Sequence, residues 1–75
     1  MTIYDCNKNQ KYSIKQVSME DSKLKLRLYE IGFFEGSQIE VVNKSFLNKT
    51  LLVCVLDSCF AIKGDVAKLI EVCDG

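Results

Sequence analysis

The sequence predicts a small, mainly β domain: a barrel of about five strands, with one α-helix between the first and second strands and a short helical turn before the last strand. Short segments alternate apolar and polar residues, one segment has helical periodicity, and nearly every connection is short. Because a sheet of few strands leaves open edges unless it curls, a barrel is the expected arrangement. The 75 residues, 1–75, are expected to form a single domain.

The first strand and the helix are marked by a change of period. Lys11–Val17 alternates in the way of a half-buried strand. Ser18 and Asp21 then form an S-x-x-D pattern, which predicts that the Ser18 hydroxyl caps a helix. Gly32 follows at a position where helices end in a left-handed conformation. The helix is therefore predicted from about Ser18 to Ile31. Its apolar residues recur at helical spacing: Leu24, Leu28 and Ile31.

The rest of the chain is rich in β-forming residues. Four further strands are predicted, at Gln38–Asn43, Leu51–Leu56, Cys59–Lys63 and Ile70–Val72. Asp65–Leu69 is predicted to be a single helical turn. The apolar phase of all these elements predicts the core, which comprises Ile14, Leu28, Ile31, Ile39, Val41, Val53, Val55, Phe60, Ile62, Ile70 and Val72.

The third and fourth strands are predicted to form a tight hairpin with Asp57 and Ser58 as its two loop residues. That loop would pair Val55 with Phe60. The hairpin face opposite the core is also apolar: Leu52, Cys54, Leu56, Cys59 and Ala61. Because the outer face of a small barrel should be polar, two explanations stay open. Either Met1–Cys6 or the helix packs over this face, or the face is a partner or self-association surface.

The charge pattern argues against nucleic-acid binding, and the short apolar runs argue against membrane insertion. Ten Lys and Arg balance ten Asp and Glu, without a basic stripe. The longest apolar run, Leu51–Leu56, is far shorter than the ~18 residues of a membrane span. The N-terminus also lacks the pattern of a signal peptide. A cytoplasmic location without direct membrane insertion is therefore expected.

The sequence offers no recognisable machinery for catalysis. It has no histidine, no paired carboxylates on one face, no glycine-rich phosphate loop and no serine in a nucleophile elbow. A peptide-binding groove of the proline-recognising type is also poorly supported, since tryptophan is absent and Phe33-Phe34 is the only dense aromatic pair. The expectation is a protein that is not an enzyme, with no catalytic residue and no cofactor.

The four cysteines, Cys6, Cys54, Cys59 and Cys73, have three interpretations: packing thiols, metal or redox chemistry, or a disulfide. No C-x-x-C and no histidine supports a zinc site, and no signal peptide indicates an oxidising compartment. Reduced packing thiols are therefore favoured, and no residue is assigned to a metal. The predicted register places Cys54 and Cys59 diagonally, about 7–8 Å apart and too far for a disulfide.

The run RLYEIGFFEGSQIEVV, from Arg27 to Val42, resembles the R-L-x-x-L-G-[apolar]-x-x-G-x-x-I-x-V-V signature of the ferrous iron transport protein A family, FeoA. Cys59–Lys63 and Ala67–Val72 are similar to later parts of the family pattern, so the resemblance covers nearly the whole chain. Its two glycines, Gly32 and Gly36, are interpreted as structural turn glycines. The family commonly has proline where this chain has Glu35.

The resemblance implies an SH3-like barrel that acts in the cytoplasm with FeoB, the membrane ferrous iron transporter. The implied partner region is the cytoplasmic GTPase region of FeoB, and the implied role is a regulating or supporting protein contact. The family is associated in general terms with transition-metal ion binding and iron homeostasis. Two alternatives remain: an SH3-like regulatory domain of a metal-dependent repressor, or a thiol-based transition-metal or redox sensor. Met1 and the lack of a helix-turn-helix segment argue against the repressor.

Overall fold

The fold is described from a computed structural model, which describes residues 1–74. In chain order the main elements are β1 (Lys11–Val17), α1 (Ser22–Ile31), β2 (Gln38–Lys44), β3 (Thr50–Val55), β4 (Ser58–Lys63), α2 (Gly64–Ala67) and β5 (Ile70–Asp74). Two 3₁₀ turns, Ile3–Asp5 and Phe46–Asn48, precede β1 and β3. The prediction of a mainly β fold with one helix and a late helical turn is confirmed.

The strands form one antiparallel sheet in the order β4-β3-β2-β1-β5. Every predicted strand is present, with its ends displaced by no more than one or two residues. The first strand, β1, pairs with β2 on one side and with the last strand, β5, on the other. The register shifts once between β1 and β5 and once between β2 and β3, and such irregularities add to the bending of a sheet. The short helix α2 connects the two edge strands.

The core contains nearly all the predicted residues. Ile31 and Phe60 are the exceptions, because both are only partly buried and pack against the edge of the cluster. Buried hydrophobic residues outside this prediction are Ile3, Cys6, Tyr12, Val17, Phe33 and Ala67. The N-terminal segment enters the core because its backbone is held to β5: Thr2 bridges Glu71, and the Val72 N–H donates to the Met1 carbonyl at 2.8 Å.

The helix begins four residues later than predicted, and Ser18 is not its cap. The Asp21 carboxylate accepts hydrogen bonds from the N–H groups of Lys23 and Leu24, both at 3.1 Å. Ser18 instead lies in the connection from β1, where its N–H donates to the Leu69 carbonyl at 2.7 Å. The S-x-x-D pattern was therefore correct in marking a helix start, but the aspartate caps it.

The two turn glycines have the predicted positive φ. Gly32 ends α1 with a φ of +114°, and Gly36 follows with +92°. Across this turn, the hydroxyl of Tyr29 on α1 donates to the carboxylate of Glu35, at 2.6 and 2.7 Å from its two oxygens. This hydrogen bond ties the turn back to the helix at the residue where the resembling family commonly has proline.

Candidate functional site

The β3–β4 hairpin carries the candidate site, and its loop differs from the predicted one. Val55 pairs with Ser58, so the two loop residues are Leu56 and Asp57 rather than Asp57 and Ser58. Leu56 has a φ of +55°. The predicted register is therefore wrong by two positions.

A shift of two positions leaves every side chain on its predicted face, because side chains alternate along a strand with a period of two. Leu51, Val53, Val55 and Ile62 point into the core and are buried. Phe60 lies on the same face at the sheet edge and is half-buried. The division of the hairpin into two faces is therefore confirmed, whereas the pairing of Val55 with Phe60 is replaced by Val53 with Phe60.

The outer face of the hairpin remains open to solvent. We call Leu52, Cys54, Leu56, Cys59 and Ala61 the hairpin face. Leu56 is 75% exposed and Leu52 37%, Cys59 and Ala61 are exposed, and Cys54 is half-buried. The N-terminal segment does not cover it, since that segment inserts Ile3 into the core and pairs with β5. The end of the helix reaches this face at Leu56, whose side chain lies against Gly32, but Leu56 is still largely exposed. An interaction surface therefore stays a prediction for this face.

Two cysteines of the hairpin face form a disulfide, which corrects the prediction of four reduced thiols. Cys54 and Cys59 are directly opposed in the register, with their Cα atoms 3.9 Å apart. This separation is shorter than the ~4.5 Å between the Cα atoms of an ordinary non-hydrogen-bonded antiparallel pair. The diagonal placement expected from the sequence was wrong because it depended on the wrong loop.

The other two cysteines are free thiols in opposite environments. Cys6 is buried in the core, and burial raises the pKa of its thiol to about 11. Cys73 is exposed on β5. The prediction of a packing role is therefore confirmed for Cys6, whose unreactive thiol contacts the Thr2 carbonyl at 3.6 Å.

Charged side chains border the hairpin face on the neighbouring strands. Glu40 of β2 is directly opposite Cys54, and Lys11 of β1 is directly opposite Glu40. Lys11, Glu40, Cys54 and Cys59 thus form one row across four strands. A shallow groove lies over Lys11, Glu40 and Cys54 of this row, with Leu56 on its wall. The arrangement is an apolar centre with a charged border, as in many protein interfaces.

A second apolar feature, which was not predicted from the sequence, lies in the connection between β2 and β3. Phe46 is 84% exposed and Leu47 68% exposed. Leu47 has a φ of +58°, an uncommon conformation for a leucine. Two large apolar residues inside the otherwise polar stretch from Asn43 to Thr50 were the signal available in the sequence.

Across residues 1–74, no three Cys, Asp or Glu side chains are grouped so that they could hold a metal ion. None of the helices in that range is long and apolar enough to cross a membrane. Gly32 and Gly36 shape the post-helix turn, as their positive φ values require.

Comparisons with known proteins agree with this architecture. A candidate Fe(2+) transport protein A of Campylobacter jejuni subsp. jejuni is 32% identical over 72 residues, which are 96% of each chain. The crystal structure of Stenotrophomonas maltophilia FeoA complexed with zinc, described as a prokaryotic SH3 domain protein, has a TM-score of 0.83 and 27% identity. That alignment covers 96% of this chain and 88% of the other.

A manganese-dependent transcriptional repressor has the same fold, with a TM-score of 0.88 at 15% identity. The likeness covers the whole of this chain but 41% of the repressor, and at this identity it concerns the fold alone. The family model of the FeoA domain, in contrast, matches residues 1–73. The chain therefore belongs to the FeoA family of ferrous iron transport proteins.

Proposed function

We propose that the protein is a non-catalytic accessory component of ferrous iron transport, which acts in the cytoplasm by docking on the GTPase region of the transporter FeoB. The observation that carries this proposal is the exposed hairpin face in a member of the FeoA family. FeoB enters as the partner through the family resemblance.

The hairpin face has the properties of a docking surface. Folded domains rarely leave a contiguous apolar patch in water unless the patch has a partner. Leu56 projects from the hairpin loop and Leu52 lies on the same face of β3, so a partner could cover both at once. The row of Lys11 and Glu40 beside them supplies charges of both signs, which would fix the orientation of the partner.

The experiment measures binding to the purified cytoplasmic region of FeoB by calorimetry or biolayer interferometry. The test variant is Leu52→Glu with Leu56→Lys, which places charges on the hairpin face. The matched control is Leu26→Glu, since Leu26 is a 61% exposed leucine on α1, away from the hairpin. Melting curves first establish that both variants are folded.

Loss of at least tenfold in affinity for the double variant, with the control unchanged, supports the proposal. Unchanged affinity of the double variant would mean that the docking surface lies elsewhere on the protein. A lower affinity of Leu26→Glu would then place it on α1. If the wild-type protein does not bind this region of FeoB at all, the proposed partner is wrong. Sedimentation of each variant alone tests self-association, which is the other use of the same face.

The regulatory domain of a metal-dependent repressor is the second candidate function. The fold that the chain shares with part of a manganese-dependent repressor is compatible with this role. Deleting the gene distinguishes the two functions. An accessory role in transport predicts loss of ferrous iron uptake with little change in metal-responsive transcription, whereas a regulatory role predicts the opposite.

A further inference from the structure

The Cys54–Cys59 disulfide lies on the solvent side of the sheet, in the middle of the hairpin face. The geometry points to a reversible dithiol–disulfide site, reduced by dithiol proteins of the thioredoxin class and reoxidised by glutathione disulfide. The inference is independent of the identity of the docking partner. Three features of the hairpin support the inference. The strands hold the two cysteines opposite each other, Cys59 is open to solvent, and the disulfide lies outside the hydrophobic core.

The two cysteines are held opposite each other by the strands and not only by their own bond. They are the first pair beyond Val55 and Ser58, and the next pair is Val53 with Phe60. Ladder pairs on both sides therefore keep the cysteines in register when the S–S bond is broken. Because Cys54 and Cys59 are directly opposed on adjacent strands, the bond can form again without rearrangement of the strands.

The fold depends little on this cross-link. The cysteines are separated by five positions in the sequence, in a hairpin that its ladder already closes. A disulfide that closes so short a loop removes the least entropy from the unfolded chain. Their side chains also face away from the core, which is formed by Val53, Val55 and their neighbours on the inner face. Reduction is therefore expected to leave the domain folded.

Cys59 is the accessible sulfur for exchange. It is exposed on the edge strand β4, whereas Cys54 is half-buried between β2 and β4. A thiolate of the reductant attacks Cys59 Sγ and breaks the S–S bond, and Cys54 leaves as a thiolate that takes up a proton. The second thiolate of the reductant then attacks its own sulfur in the mixed disulfide and releases Cys59. The protein gains two electrons and two protons, and the reductant becomes a disulfide. On reoxidation, one cysteine thiolate attacks glutathione disulfide and releases one glutathione, and the other cysteine then attacks the mixed disulfide, re-forms the Cys54–Cys59 bond and releases the second glutathione.

The test counts thiols by maleimide labelling and mass spectrometry on the folded full-length chain. Protein equilibrated with glutathione disulfide should show two thiols after denaturation, Cys6 and Cys73. Treatment of the folded protein with thioredoxin, its reductase and NADPH should raise the count to four, and glutathione disulfide should return it to two. Cys73→Ser should lower each count by one and leave the change of two intact. Cys54→Ser should abolish the change.

Two results would overturn the inference. Four thiols in the presence of glutathione disulfide would mean that no disulfide forms. Two thiols after thioredoxin treatment, rising to four only when reductant is added to denatured protein, would mean a structural cross-link that is closed to exchange. A circular dichroism spectrum and a melting curve of the reduced protein show whether it stays folded. Unfolding on reduction would mean that the disulfide is a structural cross-link, which also contradicts the inference.

Discussion

The ring of Phe33 meets the ring of Phe60 edge to face, with the centroids 6.2 Å apart and the planes inclined at 65°. Phe33 follows the glycine that ends α1 and is fully buried, whereas Phe60 lies half-buried on the edge strand β4. Edge-to-face geometry is favoured between aromatic rings. The pair therefore joins the turn after the helix to the far edge of the sheet.

Removing either ring should destabilise the domain, but not equally. Phe33→Ala should cost about 3–5 kcal/mol, the usual range for a buried phenylalanine. Phe60→Ala should cost roughly half as much, because the ring is partly in water already. Urea denaturation of both variants measures the difference. A larger loss for Phe60→Ala than for Phe33→Ala would contradict this assignment of burial.

Gly64 is required by a close approach of two backbones. Its N–H donates to the Lys49 carbonyl at 2.8 Å, and a Cβ at position 64 would overlap the carbonyl oxygen of Asn48. Because a backbone atom cannot turn aside as a side chain can, Gly64→Ala should lose at least about 1–3 kcal/mol. Gly36→Ala is the comparison, since a Cβ there meets nothing within 4 Å and only its positive φ resists. Greater damage at Gly36 than at Gly64, seen by thermal melting, would show that the β4–α2 junction tolerates a side chain.

The cap of α1 can be tested at two positions that the sequence pattern did not separate. Asp21→Ala should cost about 1 kcal/mol, because two N–H groups lose their acceptor. Asp21→Asn keeps an acceptor and should be milder. Ser18→Ala should change the free energy of unfolding by less than about 0.5 kcal/mol. Chemical denaturation of the three variants measures these changes. If Ser18→Ala lowered the free energy of unfolding as much as Asp21→Ala, the predicted helix start at Ser18 would be correct.

The Tyr29–Glu35 hydrogen bond should be visible in a pH titration. This bond lowers the pKa of Glu35 and raises the pKa of Tyr29. With the carboxyl pKa lower in the folded protein, the contact stabilises the turn above the ordinary pKa of a glutamate and is lost as the pH falls through the lowered value. Tyr29→Phe should therefore raise the Glu35 pKa toward its ordinary value, as measured by NMR of the carboxyl carbon. An unchanged Glu35 pKa would mean that the hydrogen bond does not persist in solution.

Periodicity predicted the strands and their faces well, because both are local properties of a segment. It could not predict the hairpin register. Shifting the loop from Leu56-Asp57 to Asp57-Ser58 changes every pair but keeps each side chain on its face. A typical turn residue would have identified the loop and with it the register. Here, however, Leu56, with a φ of +55°, occupies a position where glycine or asparagine is expected. The hairpin face was therefore predictable, whereas the disulfide within it was not.

Long-range contacts explain the other differences. Ile3 and Cys6 are buried because their segment is held to β5, and a 3₁₀ turn of three residues is too short to show a period. The need for glycine at position 64 likewise arises from Asn48, sixteen positions earlier in the sequence. Neither relationship can be found within a local window of residues.

The strand order also has a consequence for how the protein is made. The strand β1 lies between β2 and β5 in the sheet. During synthesis, the edge of β1 that pairs with β5 therefore stays unpaired until β5 has left the ribosome. Strands β2, β3 and β4 are neighbours in both sequence and space, so they can pair as they emerge. Ile14 and Val17 would lack their cross-strand partners until residues 70–72 have left the exit tunnel. Completion of this fold is thus expected after translation of the final strand, and a chain stalled before Ile70 would be a target for chaperones and proteases.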